Sequence, residues 1–398
     1  MSVRTTFRSP VLRALLCLAV AAIFWLPVLH IFFEPKADSA DVVRGLLDYQ
    51  SGLWADPTHL AVVQGNMRRT NPEWDFMSRT FFALSLANLA LREPANADRY
   101  LATMDHIIDD TLEQERLHGK YYFLMDYAHA HPFVNPGKRS VFEDGEIALM
   151  LAARRLVREK DAYREPMHQR IEWVEQTMRD GPVLCGESYP DECWMFCNTL
   201  ALAAMRCSDA LDGTEHSAFV SEWIENAKKR LTNPATGLLI SSFNLRGDVQ
   251  DGPEGSTIWM ATHCLQVVDP AYAKEQYLIA KKLLSRNLLG FGYASEWPKT
   301  FRTNIDVDSG LVIPLLDASP SSSGFAILGA ATFGDFDFLN SLRTSLDFSG
   351  FPQHGPEGLH YCVGNLVGDS VLLYALVQGP LWEKVNHLRP PGVSTPSP

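Results

Sequence analysis

The sequence predicts an all-α protein: an (α/α)6 barrel, six helical hairpins closed into a ring, behind one apolar N-terminal helix. Three observations predict it. The first is a repeat. At intervals of roughly fifty to seventy residues an acidic turn marked by Pro or Gly opens an apolar run, the spacing of a stacked αα-hairpin. The openings are Pro72-Glu73-Trp74-Asp75, Phe142-Glu143-Asp144-Gly145-Glu146, Tyr189-Pro190-Asp191-Glu192, Gly252-Pro253-Glu254-Gly255-Ser256, Asp306-Val307-Asp308-Ser309-Gly310 and Val363-Gly364-Asn365, the last with its acid, Asp369, a turn further on. The second is polarity. Runs after the openings are apolar nearly all round, as inner helices must be, and the runs between them are mixed, as outer helices must be. The third concerns the ends. An open solenoid needs polar capping repeats, whereas the first and last inner runs here are as apolar as the middle ones.

Residues 1–36 form a membrane anchor or signal segment. Arg4, Arg8 and Arg13 lead an apolar stretch from Ala14 to Phe33 that Glu34-Pro35-Lys36 closes. Such a helix spans about 30 Å, a bilayer core, and the leading positive charge keeps the N-terminus cytoplasmic and sends the body across. The alternative is a cleaved signal, with Ala37-Asp38-Ser39 as the cleavage site and secretion as the outcome. Residues 37–388 form the barrel and 389–398 a Pro-rich disordered tail. A helix is expected near Ser39–Ser51 and a loop over Trp54–Thr70. Inner runs are Phe76–Arg92, Ile147–Val157, Trp194–Leu211, Ser256–Val267, a helix from about Ser321 to Phe333, and Leu366–Gln378. Outer runs are Ala97–Leu117, Ala162–Met178, Ser217–Leu231, Ala271–Leu289 and Asp335–Leu346. Strand-like pieces are confined to Gly237–Phe243 and Tyr121–Phe123.

Composition narrows the function. The net charge is −12, and no long Lys/Arg run follows the N-terminus, which argues against a nucleic-acid partner. Self-association is left open. No Walker motif, phosphate-binding Gly loop or zinc-type Cys/His spacing occurs, so neither a cofactor nor a metal is expected. Among the cysteines outside the anchor, Cys185 with Cys193 is the only local pair a disulfide would join.

The acidic openings gather at one mouth if the ring closes. A single acid there caps a helix. Several openings carry two or three acids, and crowded carboxylates raise one another's pKa, as a general acid requires. Asp75, beside Trp74 in an apolar turn, fits a proton-holding carboxyl or a cap equally well. Ser319–Ser323 fits either close ligand approach or an N-cap. Pro190 is read as a first-turn residue, so that Cys193 and Cys197, four apart, project from one helical face as buried cysteines or reactive thiols.

Pro190-Asp191 followed by Cys197-Asn198 and an apolar helix resembles the linalool dehydratase/isomerase family of bacterial α/α-barrel enzymes. Ser140–Val157, with Gly145, Leu149-Met150 and Leu156-Val157, and Val268–Tyr277 align in the same order. The resemblance implies a cofactor-free apolar pocket in which cysteines, an aspartate, a histidine and tyrosines move protons on an allylic alcohol. Cys197 falls on an active-site cysteine and Asp75 stands for the upstream aspartate. Ser188 replaces the second cysteine and Glu146 the histidine, so two key groups are altered.

The leading expectation is therefore an acid/base lyase or isomerase acting on a hydrophobic terpenoid or allylic alcohol. Cys197, Glu146, Asp75 and Asp191 would be catalytic, and Trp74, Tyr189, Cys193, Trp194, Phe196 and Asp308 would line the substrate. A glycan-active hydrolase or lyase, for which Asp144, Asp306 and Asp308 would matter more than Cys197, is the alternative. A non-catalytic membrane-associated binding protein is the third.

Overall fold

The computed structural model describes residues 10–36, 39–301 and 310–388. Asp306, Asp308 and the tail at 389–398 lie outside the described residues. Among the described residues fifteen α-helices run in chain order: α1 Pro10–Trp25, α2 Ala40–Ala55, α3 Pro57–Thr70, α4 Pro72–Arg92, α5 Ala97–His118, α6 Val141–Val157, α7 Arg164–Asp180, α8 Met195–Asp212, α9 Ser217–Arg230, α10 Gly255–Leu265, α11 Pro270–Leu284, α12 Pro320–Thr332, α13 Phe336–Ser349, α14 Leu366–Val377 and α15 Pro380–Leu388. Seven short strands among the same residues join them: β1 Cys193–Trp194, β2 Ser242–Phe243, β3 Val249–Asp251, β4 Ser285–Leu288, β5 Phe291–Ala294, β6 Pro352–Gly355 and β7 Gly358–Tyr361.

The even-numbered helices α4 to α14 form the inner ring. Each packs on the next, and α14 packs on α4, so the ring is closed. The chain is an (α/α)6 barrel. Outer helices α5, α7, α11 and α13 pack behind α4, α6, α10 and α12, while α9 follows α8 in the chain as the outer helix of the third hairpin. The outer partner of α14 is α2, from the other end of the chain. The sixth hairpin is thus assembled from both termini, which ties the ring shut.

Connections at the two ends differ. Those leading out of inner helices are short, at 93–96, 158–163, 213–216, 266–269 and 333–335. Those leading into inner helices are long and build the mouth. They hold the antiparallel β1–β2–β3 sheet, with Cys193 opposite Phe243 and Ser242 opposite Asp251, and the β4–β5 and β6–β7 hairpins. At the opposite end α15 crosses the ring. The Leu381 amide donates to Asn88 at 3.0 Å, and the Trp382 indole donates to His263 Nε2 at 3.2 Å. His263 is wholly buried and neutral, its pKa pushed down to about 3 by desolvation. Its Nε2 therefore accepts, also from the Tyr374 hydroxyl at 2.8 Å, while its Nδ1–H donates to Thr332.

Several boundaries differ from expectation. The segment read as a loop over Trp54–Thr70 is largely α3, started by the Asp56 carboxylate, which accepts from the amides of Thr58 and His59, and by Pro57 in its first turn. The helix expected to run on to Leu289 stops at Leu284 and turns into β4. Tyr121–Phe123 is a turn. All seven cysteines are free, so Cys185 and Cys193 are not bridged.

Glycine matters where inner helices touch. A Cβ on Gly255 would come within 2.0 Å of the Ser322 hydroxyl and 2.9 Å of the Ser295 carbonyl oxygen. That hydroxyl is itself fixed between Ser295 and the Trp259 indole. Gly255→Ala is expected to pry α10 from α12 and cost about 1–3 kcal/mol, read as a lowered thermal midpoint.

Candidate active site

The bore is floored by aromatic rings. Phe81 on α4 meets Phe325 on α12 and Tyr374 on α14, each at a centroid distance of 5.8 Å, and Phe196 on α8 meets Phe325 edge-on at 5.7 Å. Helices α4 and α12 are not neighbours in the ring, nor are α8 and α12, so the two contacts of Phe325 cross the barrel.

Helical phase decides which acids face this bore. On α4, Glu73, Met77, Thr80 and Phe81 fall on one stripe, and Asp75, two residues on from Glu73, points the other way. The Asp75 carboxylate accepts from Arg79 Nε at 2.9 Å and from Arg68 at 3.4 Å, and Arg79 reaches on to Asp110 (2.6 Å) and Thr111 (3.3 Å) of α5. Asp75 is therefore part of the seam between inner and outer layers, and the expectation that it serves as an acid in the pocket is corrected. The same offset operates on α6. Glu146 faces inward, while Asp144 faces outward to Arg139 and Arg170. Glu143 accepts from the Phe123 amide at 3.2 Å, with its pKa raised by burial and then by Asp144.

Glu146 is the exceptional group. It is 1% exposed, its Oε2 accepts the Thr80 hydroxyl at 2.5 Å, and its Oε1 has no hydrogen-bond partner among the described residues. Desolvation, opposed by Thr80 and aided by the charge of Glu73, pushes its pKa up to about 8. It holds a proton at neutral pH.

Two further carboxylates face the mouth. Glu73, half-buried, accepts the Tyr189 hydroxyl, and Glu192, half-buried, accepts the Trp194 indole N–H. Tyr189 stacks on Tyr127 with centroids 4.3 Å apart and accepts the Met125 amide at 3.0 Å. Cys197 marks the point of convergence. Its thiol is held well above its ordinary pKa, first by burial, against a hydrogen bond with Ser188, and then by the charges of Glu146, Glu73 and Glu192. Four segments distant in sequence thus meet at one place. Trp194, tied to Glu192, is half-buried, and Cys197 is 6% exposed.

The remaining expected residues lie outside these hydrogen bonds, though the Cys193 thiol, raised mainly by burial, also feels Cys197. Cys193 is not on a helix. It lies in β1, fully buried, since α8 begins at Met195, and a shared helical face with Cys197 does not exist. Pro190-Asp191 is a turn closed by the Tyr189–Glu192 bridge, with Asp191 exposed at φ 53°. Asp tolerates that left-handed conformation. The Asp191 amide donates to Glu187 at 2.8 Å, and its carboxylate accepts from the Leu245 amide at 3.3 Å, so it stabilises a loop. Ser319 is the N-cap of α12, accepting from the Ser322 amide at 3.0 Å and donating to the buried Glu296. Asp369, pushed up to about 7 by burial, accepts from the Tyr361 amide at 3.3 Å on the side of β7.

Glu73, Glu192, Thr80 and Tyr127 were not singled out from the sequence. The signal for Glu73 was present: it lies four and eight residues before Met77 and Phe81, on the stripe that continues into the bore.

No family model matches the chain. The solved structures similar to it include the following two. A GH76 α-mannanase from Bacteroides thetaiotaomicron, as a selenomethionine derivative, is 12% identical over 78% of this chain and 87% of its own, with a TM-score of 0.48. An unsaturated glucuronyl hydrolase from Bacillus sp. GL1, responsible for glycosaminoglycan degradation, is 11% identical over 75% and 85%, with a TM-score of 0.47. At these scores neither assigns an activity to this chain. The expected kinship with the linalool dehydratase/isomerase family is corrected: no family model matches the chain, so none supports it. The helix Pro10–Phe33 is long and apolar enough to cross a membrane and is unburied across its apolar window.

Proposed function

We propose that this chain is a glycan-active hydrolase or lyase of the (α/α)6 type, tethered by Pro10–Phe33 with the barrel on the extracytoplasmic side. The observation that supports it is the meeting of Glu146, Glu73 and Glu192 around Cys197, with Trp194, Tyr127 and Tyr189 held beside them. Glycosidic cleavage needs one carboxyl that keeps a proton and another that gives or takes charge. Glu146 fills the first role, because its raised pKa keeps the proton and its unpartnered oxygen is free to pass it to a leaving oxygen. Glu73, oriented by Tyr189, fills the second. Cys197 takes no covalent part: a thiol held this far above its ordinary pKa stays protonated and is a poor nucleophile.

The test is turnover on α-mannans and on glycosaminoglycan fragments ending in an unsaturated uronate, read as new reducing ends or as loss of the uronate's ultraviolet absorbance. Glu73→Gln is expected to lower kcat/KM by roughly 10²–10⁴-fold, the range for general acid–base groups, and Cys197→Ala to leave it within about threefold. Activity should fall as pH rises through about 8, where Glu146 loses its proton. Loss of turnover in Cys197→Ala with Glu73→Gln still active would overturn the carboxylate reading.

A further inference from the structure

The apolar anchor is seated on the barrel. After α1 the chain continues as a 3-10 helix, Leu26–Phe33, whose His30 and Phe33 are half-buried. Phe33 packs edge-on against Phe348 of α13 at 5.1 Å and lies 6.4 Å from Phe291 of β5, and His30 meets Phe291 edge-on at 6.3 Å. The turn between β4 and β5 is pressed against the same segment. A Cβ on Gly290 would come within 2.2 Å of the His30 ring. Immediately before that glycine stand Leu288 and Leu289, 46% and 45% exposed, at the tip of the hairpin. Leu289 has φ 51°, a left-handed turn position that ordinarily takes Gly or Asn.

Position along the anchor gives these leucines a partner. The apolar stretch runs to Phe33, and the hairpin tip lies beside residue 30, inside that stretch and not beyond it. A bilayer that accepts the anchor to its end therefore reaches the tip. We propose that Leu288 and Leu289 form a second membrane contact, entering the headgroup–acyl boundary beside the anchor and fixing the barrel at one angle to the bilayer. The proposal rests on reading Pro10–Phe33 as bilayer-spanning. Its consequence is positional. The hairpin belongs to the connection leading into α12, so it lies at the same end of the barrel as Glu73 and Glu192. Two leucines alone bind a surface weakly, but next to a spanning helix they act at high effective concentration.

The experiment uses the full chain in phosphatidylcholine/phosphatidylglycerol nanodiscs. In a Cys17→Ser, Cys362→Ser background, which removes both exposed thiols, a fluorophore is placed by Ile23→Cys, Leu289→Cys or Leu117→Cys. Leu117, 56% exposed at the end of α5, is the reference. Lipids with a spin label near the headgroup are expected to quench the probe at 289 at least twofold more than the probe at 117, and lipids labelled deeper to quench the probe at 23. Quenching at 23 with 289 no higher than 117 overturns the second contact and leaves the anchor standing. No excess quenching at either position overturns both. Shielding of 289 from aqueous iodide without lipid quenching identifies a second copy of the chain as the partner and likewise overturns the proposal.

Discussion

Glu146→Gln is expected to abolish turnover, by roughly 10²–10⁴-fold, and at the same time to make the protein more stable at alkaline pH. The two effects share a cause. The carboxyl is 1% exposed and desolvation pushes its pKa from 4.5 to about 8. Between those values the folded chain keeps a proton that the unfolded chain gives up. Stability from this group is therefore complete below about pH 4.5 and declines as pH rises toward 8. At pH 8 the accumulated loss is on the order of 4 kcal/mol, from about 1.4 kcal/mol per pKa unit. Glutamine has nearly the same shape and no proton to lose, and its amide oxygen can still accept the Thr80 hydroxyl. Its amino group needs an acceptor in its turn, which reduces the net gain to about 1–3 kcal/mol. Denaturant unfolding of both proteins at pH 5 and pH 8 reads this directly: the variant should lie level with the wild type or slightly below it at the lower pH and above it at the higher. A gain equal at both would show that packing, not proton linkage, is responsible. A residue whose removal stabilises the fold while ending turnover is held at a cost for its chemistry.

The barrel was legible because its evidence is periodic. Six openings and alternating all-apolar and mixed runs are properties of whole helices, which a misplaced boundary does not erase. The partnership of α2 with α14 was not legible, since it joins the two ends of the chain and no local pattern encodes it. The site was half-legible for a different reason. Glu146 was found as one of three acids in one turn, but the turn is helical, and helical phase sends Glu143, Asp144 and Glu146 to different neighbours. Composition of a segment says that acids are present; only phase says which way they point. Once α4 is known to start at Pro72, the same reasoning separates Glu73 from Asp75. Cys193 failed for the opposite reason. A spacing of four implies a shared face only if both residues are helical, and the two-residue strand that breaks the phase is too short to leave a sequence signal. Pro190-Asp191 is likewise a loop turn here and not the start of the helix.

Asp75→Ala is expected to cost about 3–5 kcal/mol of stability, with kcat/KM of the remaining folded protein unchanged within a few fold. Asp75 is 1% exposed and lies between two guanidinium groups, of which Arg79 is 2% exposed. Removing the carboxylate leaves Arg79 buried with one acidic partner among the described residues, Asp110, which is 29% exposed and therefore screened by water. Arg68 suffers less, because it also donates to the Tyr122 carbonyl at 2.7 Å and lies 3.6 Å from the Tyr122 ring centre. That asymmetry puts the loss near the lower end of the range. Asp75→Asn sharpens the test. An amide keeps the shape and one acceptor for Arg79 but removes the charge, so it should cost less than alanine and still leave turnover intact. Were Asp75 an acid of the pocket, Asp75→Asn would do the reverse, sparing the fold and ending turnover. Paired denaturation and kinetic measurements on the two variants therefore separate a residue that ties the inner ring to the outer from one that touches the substrate.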